Sequence, residues 1–338
     1  MKKNLVISCI LPKMRNDYLT DTVLDGLATL KQKENIYLLF PNYAYPSKVK
    51  IPEGKILPLI EFIKASKDAD LILLFNAGQQ VEEEVAEKIG MWHKTFFIDG
   101  SELGRNRRLD MKIKEALEDG TYSGKGAIRS DYLNKCAAYF RREPPYLNGV
   151  TPLPFGIERK YIHYSKKTKK DIDFVCIFGQ EEFPPLRKEV RLALEQFCAE
   201  NNFVCKTSQT KIPFFSIHSA FAQKRFYSLL ARAKVGISVC GGGFDTLRFW
   251  EILGNNCILL TEKVGVYPEG TQELNFERIR QFSDSADFKL QLNKVAEYLQ
   301  NGYDVTSMEA EYKEVLDRHS TLRRVRTILA VAEEKGIL

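Results

Sequence analysis

The sequence predicts an α/β protein made of two Rossmann-like, doubly wound domains facing a cleft, and three observations carry that expectation. Short apolar runs alternate with segments of helical period through both halves of the chain, the cadence of βαβ units around a parallel sheet. A length of 338 residues supplies two cores of ordinary size. Between the two series lies a proline-rich stretch, EPPYLNGVTPLPFGIERKY, followed by the lysine run KKTKK, with the composition of an interdomain linker.

In the first half, NLVISCI at 4–10 reads as a buried strand and 20–32 as the helix after it. Residues 35–40 and 57–65 repeat strand and helix, 71–75 and 82–89 repeat them again, and KTFFI at 94–98 adds a fourth strand. Each strand is short and ends in polar turn residues, and a doubly wound sheet takes its ligands outside those carboxyl ends. In the second half the strands are 171–178, 203–207, 235–239 and 257–261, with helices at 185–201, 221–233 and 246–253 between and around them. Helical stretches at 286–301 and 307–334 close the chain. The boundary falls near Ile157, giving domains of 1–157 and 158–317.

Composition excludes several classes. With 44% apolar and 28% charged residues, the chain is of the globular kind, and no apolar run approaches the roughly 20 residues that cross a bilayer. The apolar core of MKKNLVISCILPKMRNDY is too short for a signal peptide. Seven cysteines, odd in number and without a C-x-x-C pair, argue against a disulfide framework or a zinc site. With four dispersed histidines they give no metal cage, so no metal is expected, and reduced thiols suit the cytoplasm. The net charge of +6 gathers in RNRR at 105–108, KKTKK at 166–170 and STLRRVR at 320–326. Such clusters are usually solvated faces, and they leave peripheral association with an inner membrane face open. No RNA-binding or DNA-binding pattern accompanies them, so no nucleic-acid partner is expected.

The most informative stretch is GISVCGGGFDTLRFWEILGNNCILLTE at 236–262. An apolar strand runs into Gly241, Gly242 and Gly243, a turn stripped of side chains that can approach a phosphate closely. The helix after it turns its amide N–H groups toward the same place. Arg248 lies in the first turn, where a guanidinium adds charge-assisted bonds to an anion, and Glu251 lies three residues on. The same residues read equally as a strand-to-helix turn that only packs, with Arg248 and Glu251 as a surface ion pair. Neither a G-x-x-x-x-G-K-[ST] phosphate loop nor an early G-x-G-x-x-G is present, which excludes a P-loop NTPase and a simple dehydrogenase.

This run resembles the donor-site signature of GT-B-fold glycosyltransferases, in particular their spore-maturation-type and exostosin-like branch, in which Asp-Thr-x-Arg-x-x-Glu follows a glycine turn. NDYLTDTVLDGLATL, AAYFRRE, LPFGIE, DFVCIFG and HSTLRRVRTIL carry the resemblance along most of the chain. It implies a second domain that binds a nucleotide-diphosphate sugar and a first domain, completed by a C-terminal helix at about 318–338, that binds the acceptor. Thr246 and Arg248 would contact the diphosphate and Glu251 the ribose hydroxyls, while Gly179 would let the chain pass under the donor. Arg187 is a candidate second phosphate cation, with Lys224 and Arg225 further candidates, and Asp245 either caps the helix or meets sugar hydroxyls. His319, Thr321 and Arg324 match the family's last helix, where packing is the expected duty.

In chemical terms a departing nucleoside diphosphate gathers charge that Arg248 and the turn's amides would stabilise, which makes a metal unnecessary. The chain has no Asp-x-Asp pair after a strand, since DAD at 68–70 precedes one. Asp99, at the end of KTFFI, is the candidate catalytic base, with Glu102 and His93 as alternatives and a turn-shaping duty as the other reading. Lys13, Arg15, Asn16, Asp17 and Tyr18, then Asn76, Gly78 and Gln79, would line the acceptor side. The expected function is transfer of a sugar to a carbohydrate, glycan or similar hydroxyl acceptor. A two-domain nucleotide-sugar epimerase and a non-enzymatic solute-binding protein are the alternatives.

Overall fold

The computed structural model describes residues 4–76, 80–102, 121, 124, 126–208, 220–268 and 270–338. RNRR at 105–108, Gly78 and Gln79 lie outside the described residues. The chain divides into two compact units, one of Met1–Gly156, Val266–Glu269 and His319–Leu338, the other of Ile157–Gly265 and Gly270–Arg318.

The first unit is a seven-stranded sheet in the order β3-β2-β1-β4-β5-β6-β7, and every pairing in it is parallel. Its strands are β1 (Leu5–Ile10), β2 (Ile36–Pro41), β3 (Lys55–Leu57), β4 (Leu71–Asn76), β5 (Thr95–Asp99), β6 (Ala138–Arg141) and β7 (Val150–Pro152). The helices α1 (Tyr18–Lys31), α2 (Leu59–Ser66), α3 (Gln80–Ile89) and α4 (Ser130–Lys135) connect them. A parallel sheet covered on both faces calls for near-continuous apolar strands, and LVISCI, LILLF and TFFID provide them, with β5 buried throughout. Strand order reverses between β1 and β4, so the crevice beyond the carboxyl ends of those two strands is this sheet's ligand position.

The second unit has a five-stranded parallel sheet in the order β12-β11-β10-β8-β9. Its elements are β8 (Ile172–Cys176), α5 (Leu186–Asn201), β9 (Cys205–Thr207), α6 (Ala220–Arg232), β10 (Ala233–Ser238), α7 (Leu247–Leu253), β11 (Ile258–Glu262), β12 (Ile279–Phe282), α8 (Ser285–Asn301) and α9 (Val305–His319). Here the order reverses between β8 and β10. Phe174, Val190, Leu194, Val235, Ile237, Leu260, Phe288 and Leu292 form the core around those strands.

The helical stretch expected over 307–334 holds two helices, Val305–His319 and Thr321–Glu334. Ser320 takes extended backbone and its hydroxyl accepts the Arg323 N–H, capping α10 (Thr321–Glu334). Helix α10 returns to the first unit and packs on α1 at Gly26, where an added Cβ would lie 2.3 Å from the Thr321 carbonyl oxygen. The Thr321 hydroxyl donates to Asp25 at 2.7 Å, and Arg324 donates to the carbonyls of Pro154 and Phe155. His319, Thr321 and Arg324 are all buried. Because the obstacle at Gly26 is backbone, Gly26→Ala is expected to destabilise the protein by about 1–3 kcal/mol through overpacking, read as a lower urea midpoint at unchanged slope.

Candidate functional site

The glycine turn lies where the second sheet reverses. β10 ends at Ser238, and Val239 and Cys240 lead into Gly241, Gly242 and Gly243; Gly242 is exposed, Gly241 half-buried and Gly243 buried. Left-handed backbone is not the reason for these glycines, since the positive-φ glycines of the described residues are Gly90, Gly126, Gly149, Gly270 and Gly336. At Gly241 the reason is close approach. A Cβ there would lie 3.0 Å from a guanidinium nitrogen of Arg187, which donates to the Val239 carbonyl at 3.2 Å. Arg187, in the first turn of α5, also donates to the Gln180 carbonyl at 2.8 Å and lies over the Phe178 ring, so it ties the exit of β8 to the exit of β10. At Gly179 an added Cβ would meet nothing within 4 Å. Neither packing nor backbone conformation demands a glycine there, and the space above it is open.

The turn leads into α7, seven residues capped by Thr246 in extended backbone. Asp245 is not the cap. It is buried, and its carboxylate accepts the Trp250 indole N–H at 2.8 Å, because a buried indole needs an acceptor and Asp245 is one turn away. Thr246 makes no side-chain cap bond, and its hydroxyl lies 3.4 Å from that of Ser238.

Arg248 and Glu251 form an ion pair at 2.7 Å, but not a surface one: their side chains are 20% and 10% exposed. Two residues of α6 complete the arrangement. The Phe226 ring lies 3.8 Å beneath the Arg248 guanidinium, and the Tyr227 hydroxyl donates to the second oxygen of Glu251 at 3.1 Å. Burial and the Glu251 charge raise the Tyr227 phenol well above its ordinary range, so it stays a donor. Lys224 and Arg225, on the same helix, are exposed. Lys224 acts at a distance by helping burial depress the His163 imidazole.

Glu262, the last residue of β11, accepts the Cys240 N–H at 2.9 Å and so holds the entry to the glycine turn. Sequence reasoning assigned no role to Phe226, Tyr227 or Glu262. Only for Glu262 was there a signal, a lone carboxylate ending an apolar strand whose parallel neighbour feeds the turn.

In the first unit, the structure corrects the candidate base. Asp99 is fully buried, with one oxygen accepting from Tyr139 at 2.6 Å and Arg141 at 2.5 Å and the other from the Ser101 N–H at 2.9 Å. Arg141 is buried as completely and spends its remaining donors on the carbonyls of Glu143, Gly126 and Pro144. A carboxylate closed inside such a network serves the fold, with its oxygens committed to Tyr139, Arg141 and the Ser101 N–H rather than to an acceptor hydroxyl. His93 lies in the 3₁₀ turn before β5, at the amino end of the strands and so at the wrong edge of the sheet. Glu102 follows the carboxyl end of β5 and pairs with Arg142 at 2.8 Å.

The residues beyond β1 are held mainly by the unit's own carboxylates. The Lys13 N–H donates to Glu82 of α3, whose buried carboxyl is raised by desolvation. Asp17 caps α1, accepting the Thr20 N–H at 2.7 Å and hydroxyl at 2.6 Å; burial nonetheless raises its carboxyl. Asn16 donates to Asp21, Tyr18 meets Phe155 edge-on with its hydroxyl taking Lys48, and Arg15 is exposed. Asn76 ends β4 in register with Asp99, and its side chain is outside the described set. Among the described residues there is no group of three or more metal-capable side chains, and no helix is long and apolar enough to cross a membrane.

No protein-family profile matches the chain, and no curated protein matches it by sequence. Solved structures do. A glycosyltransferase from Rickettsia africae ESF-5 is 9% identical over 99% of both chains, with a TM-score of 0.59. An alpha-glucosyltransferase in complex with UDP and a 13-mer DNA is 9% identical over 97% of this chain and 99% of its own, with a TM-score of 0.58. Anabaena HepE, in complex with UDP and glucose, is 7% identical over 97% and 99%, with a TM-score of 0.54. What is shared at such identities is the fold, and with its two parallel sheets this chain has the GT-B fold of those glycosyltransferases.

Proposed function

We propose that this chain is a glycosyltransferase, of the spore-maturation-type branch its sequence resembles, that moves a sugar from a nucleoside-diphosphate sugar to a hydroxyl of a carbohydrate or glycan without a metal ion. One observation carries the reading: a partly desolvated Arg248–Glu251 pair lies on the helix that follows the glycine turn, at the strand reversal where a sheet of this topology takes its ligand. Solved proteins of the same fold were captured with UDP.

The division of labour follows from donors and acceptors. A guanidinium has five N–H donors and the bond to Glu251 uses one, leaving the rest of the fork for phosphate oxygens. Phe226 beneath the guanidinium and Glu251 beside it fix its plane before the donor arrives, so little reorganisation remains when the leaving group gathers charge. Because α7 has only seven residues its dipole is small, and the weight falls on Arg248 and the turn's amides. Each oxygen of Glu251 accepts one bond and keeps a lone pair for ribose hydroxyls. The open space above Gly179 admits the donor's backbone-facing side. None of the seven cysteines forms a disulfide, which suits action in the cytoplasm.

The test is release of nucleoside diphosphate from a panel of nucleotide sugars, with and without a chelator. Release that survives chelation is expected. A nucleotide sugar isomerised with no acceptor consumed would make the chain an epimerase, and loss of turnover in chelator would end the metal-free mechanism.

A further inference from the structure

One edge of the first unit is apolar where a solvated edge has polar residues. Among the described residues eleven large apolar side chains are exposed, and four of them fall within ten residues of one another: Ile51 at 38%, Ile56 at 65%, Leu59 at 38% and Ile60 at 84%. They surround β3, the outermost strand of the seven-stranded sheet, and the first turn of α2. Loose packing does not explain them. Leu57 and Phe62, which alternate with them, are sunk in the core at 4% and 0%, so the segment is anchored and presents its remaining apolar residues outward. Scattered exposed isoleucines are ordinary, whereas a contiguous set marks a contact surface.

Charge identifies the partner. Residues 48–67 carry five lysines and two glutamates, all exposed, a net of +3 on the segment that bears the isoleucines. A second copy of this chain meeting the patch through a two-fold axis would set +3 against +3, which disfavours self-association. An exposed apolar segment that carries an excess of lysines fits a surface that is anionic outside and hydrocarbon within.

We propose that the β3–α2 edge docks on an anionic lipid bilayer, with Ile56, Leu59 and Ile60 entering the acyl boundary and the flanking lysines lying among the headgroup phosphates. The surface is built entirely from the first unit and does not depend on the reading of the glycine turn in the second. Lys55 on β3 and Lys64 on α2 belong to elements pinned by Leu57 and Phe62, so their charges are presented at a fixed place.

The experiment is co-sedimentation of the full chain with vesicles of phosphatidylcholine alone and of phosphatidylcholine containing phosphatidylserine, at near-physiological salt. Sedimentation with the mixed vesicles only, reversed by high salt, is expected. The double substitution Ile56→Glu with Ile60→Glu should weaken binding by about tenfold or more, and Lys55→Glu with Lys64→Glu should remove the preference for phosphatidylserine. Both pairs are exposed, so unchanged thermal unfolding and unchanged nucleoside-diphosphate binding show that the fold and the donor site are intact. Wild-type protein left in the supernatant with both vesicle types would overturn the proposal. So would an isoleucine double variant that sediments like the wild type, or a dimer in light scattering that Ile60→Glu dissociates.

Discussion

Arg248→Ala is expected to lower kcat for sugar transfer by about 10²–10³, equivalent to about 2.7–4 kcal/mol of transition-state stabilisation. The loss should be larger than the loss in donor affinity, because the guanidinium meets most charge when the glycosidic bond has broken. It should also exceed that of Arg248→Lys, which keeps the charge but not the planar fork held over Phe226. Steady-state kinetics on the three proteins separate these outcomes. Removing the side chain also leaves Glu251, bound to Tyr227, without its cation in a partly buried place, so some loss of stability accompanies the loss of rate. An unaltered kcat in Arg248→Ala would mean that the pair is architecture and that the diphosphate, if bound, lies elsewhere.

The second large effect is on stability. Asp99→Asn is expected to destabilise the protein by about 3–5 kcal/mol, since it leaves the fully buried guanidinium of Arg141 without its counter-charge. In thermal unfolding this is a fall on the order of 10 °C. Turnover per folded molecule should stay near wild type at low temperature. A catalytic base behaves in the opposite way, with kcat collapsing and the unfolding midpoint almost unchanged, so one pair of measurements decides between the two duties. Replacing Asp99 and Arg141 together with apolar residues of similar volume should recover part of the loss, because the pair's value lies in mutual neutralisation rather than in net stabilisation.

These residues also show what the chain discloses unfolded and what it withholds. The strands β1, β2, β4, β5, β8, β10 and β11 were legible because each is an apolar run with polar borders, long enough to be covered on both faces. β3 and β12 escaped notice for a physical reason: they are edge strands of three and four residues, and Lys55, Arg280 and Gln281 point into water. β6 is hidden by Arg141, a charge in a buried strand that makes sense only once Asp99 is found beside it, 42 residues away in sequence. The same separation left Asp99 readable only as a base or a turn-shaping residue at a strand end, with its ion pair out of sight. At the glycine turn, Arg248 and Glu251 were visible as neighbours on one helix. What seats them, Phe226 and Tyr227, comes from the preceding helix and depends on tertiary packing. Of the two duties read for Asp245, capping is not the one it has: the preference of aspartate for helix caps is a local rule, and here the Trp250 indole competed for it and won.

The course of the chain through the first unit bears on how the protein is made. α10 follows the entire second unit in sequence, yet it is what packs on α1 at Gly26, with Thr321 and Val325 against that glycine and Asp25 accepting from the Thr321 hydroxyl. A ribosome therefore delivers the amino-terminal sheet first and its last helix only after some hundred and more residues of another unit have emerged. Until then a nascent chain carries a bare apolar helix face, the condition in which chaperones bind and neighbouring polysomes aggregate. The second unit, complete before α10 leaves the tunnel, is expected to fold first.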